Sequence, residues 1–281
     1  MIYLIFAIIS SSSIALILKF NSENKRSTLQ MLAANYLSAT LIAGVRLLID
    51  PAATYSNFSL FFGMGMGLLF ALSFFAYAAA VKAAGTSLAT TASRLSLIIP
   101  FLLSALFYAE KPGLFQYFGF IMALFTIGLF YYSLRHPGNT QSLHFKDYIY
   151  LLLVLIGIGL GDSAMKIFKE ARDTSEEPWF IFFIFSTALL YILVILLYRK
   201  ETFDSKATRN GLIMGIPNMF STFFLLGALA RLPAVIVYPF NNIAIILFTT
   251  IMAYLLWHER LNLFGKLALS SGIIALILLS L

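Results

Sequence analysis

Apolar residues in this chain come in long runs separated by short polar breaks. A helix needs roughly 20 apolar residues to cross a bilayer. Ten segments approach or exceed that length: 2–19, 29–49, 58–81, 86–109, 114–134, 147–168, 179–198, 210–230, 234–257 and 262–281. The longest breaks are Phe20–Thr28, Arg135–Lys146, Glu170–Pro178 and Arg199–Arg209, short enough to join neighbouring helices and too short for an inserted soluble domain. The pattern predicts an all-α polytopic membrane protein. The first run, MIYLIFAIISSSSIALILKF, has no basic start and no small-x-small cleavage site, so it reads as a retained span rather than a signal peptide.

The pattern occurs twice. The block Tyr238–Arg260 holds Pro239, the pair Asn241–Asn242, an apolar run and the couple Glu259–Arg260. Gly85–Lys111 holds Pro100 and ends on Glu110–Lys111. A shift of 149 residues places Glu110 on Glu259, Lys111 on Arg260 and Lys82 on Arg231. Gly63 and Gly67 open the third span as GxxxG, and Gly211 and Gly215 open the eighth in the same way. Glycines at this spacing let helix backbones approach closely in lipid. The two prolines do not correspond, since Thr90 takes the place of Pro239. The loop 136–146 divides the chain into two five-span repeats, 1–135 and 147–281. An odd number of spans per repeat makes the copies face opposite ways across the membrane, the inverted-repeat plan of many secondary transporters.

Five-plus-five spans, two Pro…Glu-Lys/Arg…Gly blocks and a length of 281 residues resemble the drug/metabolite transporter superfamily, in its ten-helix EamA-type branch. The resemblance covers the whole chain. It implies a central cavity lined mainly by the third, fourth, eighth and ninth helices, with the first and sixth beside them, and small metabolites as cargo moved outward. The four-helix multidrug members of that superfamily carry a functional Glu in their first helix. Here that helix has Ser10–Ser13 and no acid, so their cation-for-proton exchange is not carried over.

Composition sharpens the class. Hydrophobic residues make up 60% of the chain and charged ones 11%, against roughly a quarter charged in soluble domains; mean hydropathy is +0.91. With 28 Phe and 14 Tyr, aromatic belts and an aromatic interior are expected. There is no Cys, which excludes disulfides and thiolate metal sites. The net charge of +7 sits mostly in short loops, where it sets topology and gives no nucleic-acid signal. Alternate loops carry twelve Lys/Arg on one side and six on the other, which places both termini outside the cytoplasm, whereas the family resemblance implies both inside. His136, His144 and His258 are too scattered for a metal site, and no Ser-His-Asp grouping or P-loop is present. No enzyme activity, metal or cofactor is expected.

Within the spans a few polar residues stand out. Arg94 lies eight residues into the fourth span. A cation near the hydrocarbon core costs at least ~2.5–3.5 kcal/mol, so it must find a wet cavity, a partner or the interface. It reads either as a counter-ion for a substrate carboxylate or phosphate, or as a snorkelling side chain. Asp162 and Lys166, i and i+4 in the sixth span, read either as a self-neutralising pair or as a protonatable coupling site. Gly157, Gly159 and Gly161 before them have the wrong spacing for a dinucleotide loop and read as close helix packing. Asn241 and Asn242 after Pro239, and Asn218 after Pro217, are candidate substrate contacts or interhelical amide bonds. Tyr36, Tyr77 and Tyr238 offer hydroxyls on aromatic walls, and Asn35 is open to the same two readings. Glu110 and Glu259 are expected to hold the loop to the following helix.

These residues point to a secondary transporter that moves a small polar or amphipathic metabolite, amino-acid-like, by alternating access. The partners expected are a small-molecule substrate and the lipid bilayer of a bacterial cytoplasmic membrane, with no nucleic acid, as a monomer or homodimer. The alternative is a flippase for lipids or lipid-linked head groups, or a membrane scaffold.

Overall fold

The computed structural model describes residues 1–24, 26–84, 86–134, 144–199, 201–258 and 262–281. The Glu259–Arg260 couple and most of the 136–146 loop lie outside them. Eleven α-helices are present among the described residues: α1 (Ile2–Glu23), α2 (Thr28–Ile49), α3 (Asn57–Ala84), α4 (Thr86–Leu95), α5 (Ile98–Phe107), α6 (Leu114–Leu134), α7 (Phe145–Ala171), α8 (Glu177–Arg199), α9 (Ser205–Leu229), α10 (Ala234–Trp257) and α11 (Leu263–Ser280). With α4 and α5 forming one span, ten helical segments are long and apolar enough to cross a membrane.

The helices begin and end close to the apolar runs, with two informative differences. Several extend beyond the run, because caps stand in the polar flank. The eighth run begins at residue 210, but α9 starts at Ser205, where Asp204 accepts hydrogen bonds from the amides of Lys206 and Ala207. The fourth run, expected as one helix over 86–109, is broken at Ser96–Leu97. Pro100 has no N–H to offer the Ser96 carbonyl, which takes the amide of Ile99 instead at 3.0 Å, a tighter i→i−3 turn. Pro100 itself then sits in the first turn of α5, where a missing donor costs nothing.

The chain forms two compact units, each drawn from both halves of the sequence. Unit 1 comprises Met1–Ala71 and Ile167–Ala230; unit 2 comprises Leu72–Lys166 and Arg231–Leu281. The boundaries fall inside α3 and α7.

In unit 1, α2 packs along α8 and α9, and α1 packs on α9. Glycine permits the closest of these approaches. A Cβ at Gly211 would stand 2.1 Å from the Met31 carbonyl oxygen, and one at Gly215 would stand 2.5 Å from the Asn35 oxygen. On the other pair, a Cβ at Gly67 would stand 2.5 Å from the Ile184 oxygen, and one at Gly63 would stand 2.8 Å from Phe183 Cβ. Phe168 and Phe180 stack with ring centroids 3.7 Å apart and both side chains fully buried. The loops before α2 and α9 are stitched together, because Gln30 donates to the Thr202 carbonyl and accepts from the Asp204 amide, both at 2.6 Å.

In unit 2, α6 and α11 pair along their length and α10 packs on α5, α6 and α11. The core is Leu97, Ala123, Ile127, Ile243, Ile246, Leu247 and Ala275. Thr126 and Ser271 share a buried hydrogen bond of 2.9 Å between α6 and α11. A smaller cluster of Ala80, Ala89, Ala92 and Val154 joins α3, α4 and α7.

Candidate functional site

Unit 2 gathers most of the polar residues that the sequence singles out. The break between α4 and α5 is the local cause. Gly159 of α7 lies against it: an added Cβ would come within 2.9 Å of the Ser96 carbonyl and 2.5 Å of Ile99. Gly157, one step earlier, lies against Ser73 of α3. These glycines serve close packing, Gly157 holding α7 against α3 and Gly159 holding it against the break in the fourth span.

Arg94, in the last turn of α4, is half-buried. Its Nη1 donates to Asn242 Oδ1 of α10 across a long 3.4 Å. Tyr77 and Asp162 lie close enough to interact with it electrostatically. Asn242 is oriented by a second bond, its Nδ2 donating to the Tyr238 carbonyl at 3.1 Å one turn earlier. The Tyr238 hydroxyl donates to the Asp162 carbonyl. Tyr77 on α3 and Thr90 on α4 share a hydrogen bond of 3.1 Å. Arg94, Asn242, Tyr238, Asp162, Tyr77 and Thr90 thus form one polar constellation on α3, α4, α7 and α10. Asn241 is buried beside it on α10, and its Oδ1 has no hydrogen-bond partner among the described residues.

Lys166 reaches beyond its own helix. Its Nζ lies 2.7 Å from Glu110 Oε1, and both side chains are largely buried. Glu110 Oε2 accepts from the Val235 amide at 3.0 Å, capping the N-terminus of α10. The acid expected to hold its loop to the next helix, α6, instead binds α7 and α10. Ala109, just before it, has φ 51°, in the left-handed region.

Asn218 and Tyr36 belong to unit 1. Asn218 Nδ2 donates to Asn35 Oδ1 at 3.1 Å across the α9–α2 contact. Tyr36 is buried with its ring 6.3 Å from that of Phe185.

Sequence reasoning did not name Thr90 or the Glu110–Lys166 pair as parts of this cluster. Thr90 carried a signal, since it occupies the repeat position of Pro239. Glu110 carried one too, as half of the duplicated couple, but its partners lie 56 and 125 positions away in sequence (166 − 110 and 235 − 110).

No family model matches the chain. An uncharacterized protein of Haemophilus influenzae (strain ATCC 51907 / DSM 11121 / KW20 / Rd) is similar to it, with 27% identity over 270 residues, 92% of this chain and 90% of that protein. A solved crystal structure has the same fold at 14% identity, with a TM-score of 0.80 over 99% of this chain and 94% of that one.

Proposed function

We propose that the protein is a secondary transporter of the EamA-type plan, built as two inverted five-helix repeats, residues 1–135 and 147–281. Two geometric facts support the duplication. Ala109 and His258 are the non-glycine residues at positive φ among those described, with φ 51° and 54°. They stand 149 positions apart (258 − 109), each immediately before the Glu of a Glu-base couple. Within unit 1, moreover, α3 lies on α8 through Gly63 and Gly67, and α9 lies on α2 through Gly211 and Gly215. Exchanging the two repeats converts one of these pairs into the other.

The observation that carries the functional reading is Arg94. Among the described residues one of its five guanidinium donors is engaged, by a long bond to Asn242. A cation inside a span with its donors unmet needs a partner. A carboxylate fits its planar fork, and Asp162 nearby suits an ammonium. The cargo is therefore an amino-acid-like zwitterion, bound at the break in the fourth span and exported from a bacterial cytoplasmic membrane by alternating access. Asp162, with Lys166 one turn on, is the candidate for proton coupling.

A ligand screen tests this. Free amino acids and related zwitterions should raise the melting midpoint of the detergent-purified protein, and proteoliposomes should exchange the stabilising compound. Arg94→Ala should keep its folded yield and lose both responses. Arg94→Lys should recover only part, because an ammonium cannot make the planar two-point contact. Full exchange by Arg94→Ala would refute the reading.

A further inference from the structure

Unit 1 holds a pocket of about 480 Å³ at the C-terminal end of α2, between α2 and α9. Its polar lining residues are Arg46 and Asp50, and its apolar walls include Val45, Ile49, Met219 and Phe220. Arg46 lies in the last turn of α2, with its guanidinium carbon 4.2 Å from the centre of the Phe223 ring. That contact fixes the guanidinium plane but consumes none of its N–H donors. Nη1 is buried and has no hydrogen-bond partner among the described residues. Two acids interact electrostatically with Arg46, Glu177 the more strongly and then Asp50, which ends α2 and alone of the two lines the pocket. One of its carboxylate oxygens accepts from the Ala52 amide.

The walls face outward. Val45 is 54% exposed, Ile49 74% and Phe220 37%. On helices of this length and hydropathy, an exposed apolar face lies against acyl chains. Arg46 stands three residues before the end of α2, roughly 5 Å along the axis, which is where a spanning helix meets the headgroup layer. The pocket therefore offers a cation and an anion side by side at headgroup depth, above an apolar wall open to lipid.

We infer that this pocket is a binding site for an aminophospholipid. The phosphate sits on the Arg46 guanidinium, whose planar fork matches phosphate oxygens. The primary ammonium sits on Asp50, and an acyl chain runs along Val45, Ile49 and Phe220. Charge complementarity selects this occupant. A lipid with only negative charge brings no cation for Asp50, and a choline headgroup has no N–H to give it. A free phosphate leaves the apolar walls uncovered. The inference rests on the chain spanning a membrane and is independent of the transport reading.

The test uses the full-length protein, purified and delipidated in detergent, with bound lipid counted by native mass spectrometry and stability read as a melting midpoint. Phosphatidylethanolamine, phosphatidylcholine and phosphatidylglycerol are added in turn, with water-soluble O-phosphoethanolamine as the chain-free arm. The wild type should retain and be stabilised by phosphatidylethanolamine above the other two. Arg46→Gln should weaken that binding on the order of tenfold or more, the worth of one charge-assisted contact. Asp50→Asn should erase the preference for the amine while keeping phospholipid binding. Val45→Trp, which fills the pocket without touching either charge, should displace the lipid and keeps the test alive if Arg46→Gln does not fold. Equal retention of all three lipids by the wild type, an undiminished ethanolamine preference in Arg46→Gln, or equal stabilisation by O-phosphoethanolamine would overturn the inference.

Discussion

Alanine at Gly211 tests how closely α2 and α9 are held together. The new Cβ would stand 2.1 Å from the Met31 carbonyl oxygen and 2.7 Å from Ala34 Cβ. A carbon meets a carbonyl oxygen comfortably at about 3.3–3.6 Å, so the contact is short by roughly 1.2 Å. Neither neighbour can rotate away, since one is backbone and the other is the first atom of a side chain. The helices must separate, and a radial gap of 0.5–1 Å already forfeits about a quarter to a half of each dispersion contact along the seam. Overpacking of this kind costs about 1–3 kcal/mol. Replacing a helical glycine by alanine also returns roughly 0.5–1 kcal/mol of backbone entropy. Gly65 isolates that gain, because among the described residues no atom outside its own stretch of helix lies within 4 Å of where its Cβ would stand. Gly65→Ala should therefore melt at or above the wild type and Gly211→Ala below it, the two separated by about 1–3 kcal/mol. Melting followed by size-exclusion in one detergent reads the order directly. Equal midpoints for the two variants, or Gly211→Ala above the wild type, would refute the argument that glycine is present for close approach.

Two further outcomes follow from the charged groups. Glu110→Gln leaves Lys166 largely buried without its carboxylate and weakens the cap on Val235, so it should destabilise by about 3–5 kcal/mol, as loss of one partner from a buried pair does. The double variant Glu110→Gln/Lys166→Met should recover part of that loss, as measured by a double-mutant cycle on melting midpoints. At Asp204, hydrogen bonds from the amides of Ala207, Ser27 and Lys206, together with the charge of Arg26, hold the carboxylate below the usual Asp range. Its stabilising contribution is complete above the unfolded Asp value near ~3.9 and is lost as pH falls through the lowered folded value. Asp204→Asn should flatten the acid limb of the stability–pH curve and leave the curve's shape above pH ~5 unchanged; an acid limb identical to the wild type would count against the cap.

Much of the fold was legible because lipid imposes one requirement, an apolar run of span length, and ten such runs are present. The GxxxG glycines were legible for the same reason, since close approach in lipid needs a small residue at a fixed spacing. The break at Ser96–Leu97 was not placed, although Pro100 was visible. A proline in a run of that length is compatible with a continuous helix such as α10, which passes through Pro239, or with two helices, and the difference depends on what packs beside the break. Here that neighbour is Gly159. Pairings across helices were the least legible. Asp162 and Lys166 fit an i,i+4 pair on one helix, but that spacing did not disclose that Lys166 also meets Glu110 and that Asp162 lies in the field of Arg94. Sequence spacing reports which residues share a helix face and carries nothing about which other helix that face meets.

How each polar group inside the spans is satisfied ranks the candidate site residues. In unit 1 the amides and hydroxyls inside the spans pair with their own kind: Asn218 with Asn35 at 3.1 Å, Asn210 with Asn21 at 3.3 Å and Ser11 with Ser221 at 2.6 Å. Neutral bonds between membrane helices are worth only about 0.6 kcal/mol on average. They fix register at small cost and carry no charge, although Asn21 Nδ2 has no partner among the described residues. Unit 2 has such a bond too, between Thr126 and Ser271, and unit 1 has its own buried ion pair, Lys169–Glu177, but the charged groups of unit 2 are of two kinds. The Glu110–Lys166 pair is closed, with each charge facing its opposite. Arg94 is open, holding among the described residues one long bond to Asn242, with Asn241 Oδ1 unmet on the same helix as Asn242. A closed pair can be explained by stability alone. An open cation within a span is a standing cost of at least ~2.5–3.5 kcal/mol unless something charged or wet meets it. A substrate carboxylate would offset that cost at the moment of binding. Arg94, Asn242 and Asn241 therefore stand ahead of Asn218 and Tyr36 as the residues whose chemistry calls for a bound molecule.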